Sequence, residues 1–577
     1  MHNRRRRLFS HSLIALVLLA LLAAGCDLAP PSGDADAAQS ASDVSDREAV
    51  PAAGDTTNDA GIADDVDLPP ITARPSEEFG CDGVDVAPGD DLAAVADRSA
   101  PGTTFCIRSG IHRTGEVLAQ SGDEFVGESG AVLNGARDVS ADAVEWRRSG
   151  DGWVVGGQTQ QSEPLTLCHH ADKGCIEGAG AGIHPNMRNE ELFVDNRRLQ
   201  HVASRSDLGP GRWHFDYGSD QIWLGEDPAA LGTIETTVHQ GAIGSDNASD
   251  VVVDNLVVEK YGSVPGRGAL GGWDAGTRDK TSDFRWRFSN ITGRLNHGAA
   301  VLLMEGDRLE NCKLTHNGQL GFKALGNRNE ANDQPYPKGF DQRVIIRNCE
   351  IAHNNQLNYR TGWEAGGFKI GQAPAGSVVE NVWSHDNRGA GMWWDGFNRN
   401  AVVRSNLVED NTEEGIMYEL GYGGTEIYWN IVRDNGANAD DEYSSKGIYL
   451  SNAEGTEVFE NAVEGSNMAI HIRATGGRDP VTRDNKVFSN DFKPVADRAC
   501  NGVGTFQGAS PGAGNEFRDN VWRLSDPGDE VICWGDGQRS RMTVAESPAD
   551  DRVVGAGAAT TLPESATPFD KQAFGAR

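Results

Sequence analysis

Between about Asp250 and Asn490 an apolar pulse followed by asparagine keeps returning, at Asn290, Asn311, Asn348, Asn381, Asn406, Asn430, Asn461 and Asn485. Several of these intervals are about 24 residues long. The segments Asn381-Val-Trp-Ser-His-Asp-Asn387, Asn406-Leu-Val-Glu-Asp-Asn411 and Asn430-Ile-Val-Arg-Asp-Asn435 share an apolar strand, a polar corner and a second asparagine. The first two then run on to Gly391-Met392-Trp393-Trp394 and Gly415-Ile416-Met417-Tyr418, so each repeat reads strand, turn, strand. Short strands at a period of roughly 20 to 30 residues, with Gly or Asn corners and no intervening helix, specify an all-β solenoid, a parallel β-helix. Leucine-rich repeats would carry far more Leu, and propeller blades need four antiparallel strands each. Stacked coils bury one face of every strand and pair its backbone with the coils above and below. The asparagines are expected to stack as amide ladders at one corner.

Aligning the coils on the residue before the second strand gives Gly321, Gly367, Gly391, Gly415, Gly447 and Ala469. The first and third residues after each are almost all apolar (Phe322 and Ala324, Phe368 and Ile370, Met392 and Trp394), and strand alternation points them inward. The second residues are then Lys323, Lys369, Trp393, Met417, Tyr449 and His471, and the fourth are Leu325, Gly371, Asp395, Glu419, Ser451 and Arg473. These twelve are expected to face solvent on one sheet, because the opposite register would bury two unpaired lysines in an apolar core. The face mixes cations, carboxylates, aromatics and a histidine, with Trp393 and Tyr449 as flat platforms for sugar rings. Insertions at 355–366, holding Tyr359, Arg360, Trp363 and Glu364, and at 436–446 enter at the same corner, where they can wall a groove.

Two enzymatic chemistries suit this face, a lyase ahead of a hydrolase, and a non-catalytic role is the alternative. In a lyase acting on an acidic, uronate-containing polysaccharide, Lys369 is the base, with Lys323 or Arg473 clamping the substrate carboxylate. In a glycoside hydrolase, Asp395 and Glu419 share a column in adjacent coils. Their carboxyls then stand roughly 5 Å apart, the separation of a retaining mechanism. The same two carboxylates can instead hold Ca²⁺. Lys323, Trp363, Glu364, Trp393, Tyr449, His471 and Arg473 are the expected substrate contacts; a non-catalytic protein would use them to bind glycan only, or would serve as an envelope scaffold.

Elsewhere, Arg4 to Arg7 precede an apolar run from Leu13 to Ala24 that ends in Ala23-Ala24-Gly25-Cys26. That run is too short to span a bilayer and reads as a signal peptide over residues 1–25. It resembles a bacterial lipoprotein signal, which implies lipidation of Cys26, a membrane attachment through that lipid alone, and a place in the cell envelope; ordinary cleavage would leave the protein secreted. Residues 26–75 are rich in Ala, Asp, Ser, Pro and Thr and read as a disordered acidic tether. The β-helix is assigned to 76–500, with a short N-terminal helix as cap, an antiparallel hairpin insertion at 190–226 and the clearest repeats at 250–490; a cap and tail follow at 501–577. The formal charge of −33 argues against nucleic acid as a partner; an extended polysaccharide is the expected partner and a monomer the expected state. Cysteine spacing suggests the pairs Cys81 with Cys106, Cys168 with Cys175 and Cys500 with Cys533, and an oxidising compartment. Cys312 and Cys349 lie one coil apart, as a disulfide or as stacked thiols.

Over these repeats the chain resembles the right-handed parallel β-helix superfamily of pectate lyases, alginate lyases, chondroitinase B and several glycosidases. In the alginate lyase and chondroitinase B family a Glu-x-Glu calcium motif precedes a lysine base. Glu364 and Lys369 have a similar spacing here, with Gly362 in place of the first Glu. The polygalacturonase Asn-Thr-Asp and Arg-Ile-Lys motifs do not occur.

Overall fold

The computed structural model describes residues 79–165, 175–178, 184–272 except 246, 284–326, 341–436, 445–475, 480–495, 500–506, 514–535 and most of 541–569. The leader, Cys26 and the tether lie outside the described residues. No helix among the described residues is long and apolar enough to cross a membrane.

The repeats wind into a parallel β-helix. Its strands gather into a long sheet of 23 strands and a second of 13. Between coils the pairing is parallel and in register over long runs, as in Ile345–Ala352 on Val378–His385. One apolar column fills the interior, from Val86 and Leu92 through Phe322, Phe368, Met392 and Trp394 to Phe517 and Trp522. The helix Leu92–Arg98 closes its N-terminal end: Asp91 caps the helix by accepting from Ala94 N, and Leu92 and Ala96 are buried. This is the cap expected from the sequence.

The amide ladders form, but at three corners rather than one. The first runs Asn296, Asn317, Asn354, Asn387, Asn411, Asn435. Within it the Asn354 amide donates to Asn387 Oδ1 at 3.0 Å and the Asn387 amide to Asn411 Oδ1 at 2.9 Å. A second runs Asn406, Asn430, Asn461, Asn490, Asn520, with links near 2.9 Å. A third joins Asn485 to Asn515. The repeat asparagines therefore do not all occupy one column. Asn290, Asn311, Asn348 and Asn381 sit at left-handed corners with φ of 52 to 56°. Their counterpart in the next coil is Ser405, and Val382 N donates to Asn406 Oδ1 at 2.9 Å, so Asn406 is one position further on. Both positions favour Asn for different reasons. One needs positive φ, and the other needs a buried amide that satisfies backbone groups of two coils.

Cys312 and Cys349 occupy this second position in earlier coils, and they form a disulfide with Cα atoms 4.5 Å apart. Cys81–Cys106 and Cys500–Cys533 are also bonded. Cys168 lies outside the described residues. Three disulfides fit an oxidising, extracytoplasmic compartment.

The antiparallel element is larger than a hairpin. Arg212–Asp216 and Gln221–Leu224 pair around the turn at 217–220, and Gly152–Gly156 and Arg147–Ser149 extend them. A second sheet joins Ala136–Asp138, Ile234–Thr237, Leu192–Val194 and Arg197–Arg198. The two enclose a separate core of Val139, Trp146, Val155, Leu192, Trp213, Phe215, Ile222, Leu224 and Ile234. Buried polar groups fasten it to the coils: Glu191 Oε1 lies 2.6 Å from His297 Nδ1, and Arg198 donates to the carbonyls of Asn296 and His316.

Candidate active site

Six strands of the 13-stranded sheet carry the site: β1 (Leu320–Leu325), β2 (Gly366–Gly371), β3 (Ala390–Asp395), β4 (Ile416–Glu419), β5 (Lys446–Ser451) and β6 (Met468–Thr475). Their register sets the two columns read from the sequence. Lys323, Lys369, Trp393, Met417, Tyr449 and His471 are successive partners, and so are Leu325, Gly371, Asp395, Glu419, Ser451 and Arg473. The intervening Phe322, Phe368, Met392, Ile416, Ile448 and Ile470 belong to the core, which fixes the outward direction of both columns.

Outward does not mean open. Lys323, Lys369, Trp393, Glu419, Tyr449, Ser451 and His471 are only 2 to 8% exposed, which corrects the expectation of a solvated wall. Part of the cover is the 355–366 insertion. Its single helical turn, Thr361–Glu364, sets Glu364 on Lys323, whose ammonium donates to both carboxylate oxygens at 2.7 and 2.6 Å. The insertion is held down by a small apolar cluster of Cys175, Ile176, Met187, Leu357, Tyr359, Trp363 and Ala365. Tyr359 is fully buried: its hydroxyl donates to Asn186 O at 2.7 Å and lies 2.9 Å from His297 Nε2. Trp363 turns its ring into that cluster, so the site meets its carbonyl rather than its indole.

Lys369 is tightly held. Its ammonium donates to Trp363 O at 2.7 Å, lies 2.8 Å from Asp395 Oδ2, and sits 3.7 Å from the centre of the Trp393 ring. Burial alone would lower its pKa, but Asp395, Glu364 and Glu419 outweigh burial and hold the ammonium above the ordinary lysine range. Lys369 is therefore a cation, and it occupies a face of the Trp393 platform. Asp395, whose side chain is 16% exposed, is the more reachable end of that pair.

A second group lies below. Lys446 bonds Glu414 at 2.8 Å and lies 4.5 Å from the Tyr449 ring, and Arg473 donates to the Tyr449 hydroxyl at 3.3 Å. The Tyr449 and His471 rings stack 5.9 Å apart. Burial, with Lys446 and Arg473 adding to it, pushes the His471 pKa down to about 3. The ring is neutral, and its Nδ1 donates to Cys500 O at 2.8 Å. Glu413 accepts from the Thr361 hydroxyl, and burial beside Glu414 pushes its pKa up to about 7. Sequence reading missed Glu413, Glu414, Lys446 and Thr361. The signal was present in the two carboxylates directly before Gly415, at the strand edge rather than on its outward positions.

The coils define a right-handed β-helix protein: residues 279–446 match the family model described as the right handed beta helix region. Among solved structures, XylC in complex with xylose aligns with a TM-score of 0.55 at 12% identity, covering 81% of this chain and 83% of XylC. The A-module of the Azotobacter vinelandii mannuronan C-5 epimerase AlgE4 aligns with a TM-score of 0.42 at 12% identity, covering 83% and 96%. A PL6 alginate lyase in complex with a trisaccharide aligns with a TM-score of 0.36 at 12% identity, covering 84% and 95%. The likeness to XylC is one of fold alone. No curated protein matches the chain.

Proposed function

We propose that this protein is a carbohydrate-active β-helix enzyme, a retaining glycoside hydrolase whose two working carboxylates are Asp395 and Glu419. The observation that carries this reading is their pairing as register partners on β3 and β4, with both side chains directed outward from adjacent coils. Strand spacing sets such groups about 5 Å apart, which suits nucleophile and acid/base on one sugar. Asp395, charge-matched by Lys369, is assigned as nucleophile. Its carboxylate attacks the anomeric carbon while Glu419 protonates the departing glycosidic oxygen, leaving a glycosyl ester on Asp395. Glu419 then takes a proton from water as that water cleaves the ester, and the sugar leaves with its original anomeric configuration.

The lyase reading gives Lys369 the base's role. An ammonium with two oxygen acceptors and a ring face around it has no lone pair to offer, which favours the hydrolase. That XylC was solved with xylose makes neutral sugars as worth testing as uronates. Export as a Cys26-acylated lipoprotein belongs to the same proposal, and the disulfides support the compartment. Lipid labelling that persists in Cys26→Ala would refute the anchor.

The test is incubation with a panel of neutral and uronate glycans, following reducing ends and ultraviolet absorbance together. New reducing ends without absorbance, lost in both Asp395→Asn and Glu419→Gln, are expected. Unsaturated products, or activity that survives both substitutions, would overturn the assignment.

A further inference from the structure

On the long sheet, away from the proposed active site, the left-handed corner before the first amide ladder carries a run of potential metal ligands. His316, His353 and Asp386 stand there in successive coils with φ of 56, 53 and 51°. His385 ends the strand Val378–His385, whose partner Ile345–Ala352 leads into His353. The ladder links Asn354 to Asn387 at the very next residues, so the backbones bearing His353 and Asp386 are fixed relative to each other.

We propose that His353, His385 and Asp386 bind one divalent transition-metal ion of the zinc class. One ligand atom from each lies within 4.8 Å of the other two. Metal bonds of about 2.0 to 2.2 Å bring such atoms to roughly 3 to 4 Å apart, an adjustment that side-chain rotation can supply. A second observation points the same way. His385 is 7% exposed, and its Nε2 makes no hydrogen bond among the described residues. Glu350 Oε1 faces it at 3.6 Å, an ion-pair distance. The other His385 nitrogen already meets a carboxylate, Asp386 Oδ2 at 2.6 Å. With Nδ1 and Asp386 on the metal, Glu350, itself held by Lys313 at 2.9 Å, receives the Nε2–H. That carboxylate orients the metal-bound ring, the usual outer partner of a ligating histidine. Two imidazoles select zinc, nickel, cobalt or copper over calcium. The ion would pin the corner from which the 355–366 insertion departs.

The experiment uses the whole chain, purified metal-free without a histidine tag. Calorimetric titration with zinc chloride and the visible spectrum of added cobalt(II) read binding, and thermal melts read its consequence. One equivalent of zinc is expected, with at least tenfold weaker binding in His353→Ala and in Asp386→Asn. The metal-induced rise in melting temperature should disappear in both, while His214→Ala binds as wild type. Should His353→Ala fail to fold, Asp386→Asn decides alone, because its side chain is 47% exposed. Absent stoichiometric binding in the wild type, or unchanged affinity in Asp386→Asn, would overturn the site.

Discussion

The two long sheets use the same ladder geometry for opposite purposes. Where the 23-stranded sheet is open, its outward charges pair coil to coil in water: Arg404 with Glu380 at 2.6 Å, their side chains 40% and 19% exposed, and Lys486 with Glu457 at 2.8 Å, 46% and 35%. On the 13-stranded sheet the pairs Lys323–Glu364, Lys369–Asp395 and Lys446–Glu414 have side chains only 7 to 18% exposed. Exposed pairs contribute little, whereas each member of a covered pair depends on its partner. A solenoid thus concentrates electrostatic consequence wherever something covers the sheet, and the chemistry is expected there.

Several substitutions would break that contrast. The largest effect is expected from Asp395→Asn, which should lower glycosidic turnover by roughly a thousandfold or more while the far-ultraviolet circular dichroism stays native. Lys369→Met leaves Asp395 without its cation in a covered site and should cost about 3 kcal/mol in urea unfolding. Arg404→Met on the open sheet should cost less than about 1 kcal/mol, and equal losses for the two would erase the distinction. Between these falls Asn430→Ala, which strips a ladder amide and should cost about 1 to 3 kcal/mol.

The smallest effect sharpens the comparison through pH. Glu413 has its folded pKa raised from 4.5 to about 7, so the folded state prefers the protonated acid. Wild-type stability should therefore fall as pH rises from 4.5 through 7, and Glu413→Gln should escape that fall. Melting temperatures of the two should diverge across that window and run parallel above it. Because Glu413 is partly exposed, water will blunt the divergence.

The fold was legible because a stacked coil repeats its demands: an apolar inward position, a turn residue and a buried amide return at nearly constant spacing. The outward register followed from two residues, since burying Lys323 and Lys369 in the core was untenable. Three things stayed hidden. The asparagine series hides a one-residue shift between Asn381 and Asn406, because left-handed corners and buried ladders favour the same side chain. The cover over Lys369 depends on Tyr359 reaching Asn186 and His297, contacts 173 and 62 residues distant that no local period encodes. Glu413 and Glu414 precede their strand, where alternation gives no instruction.

The most direct measurement is the anomeric configuration of the first product, followed by proton NMR during cleavage of whichever glycan in the panel is consumed. Retention is the expected result, from two carboxylates one coil apart with a glycosyl ester between the steps. An inverted product, or a double bond in place of the new hydroxyl, would contradict the assignment of Asp395 and Glu419.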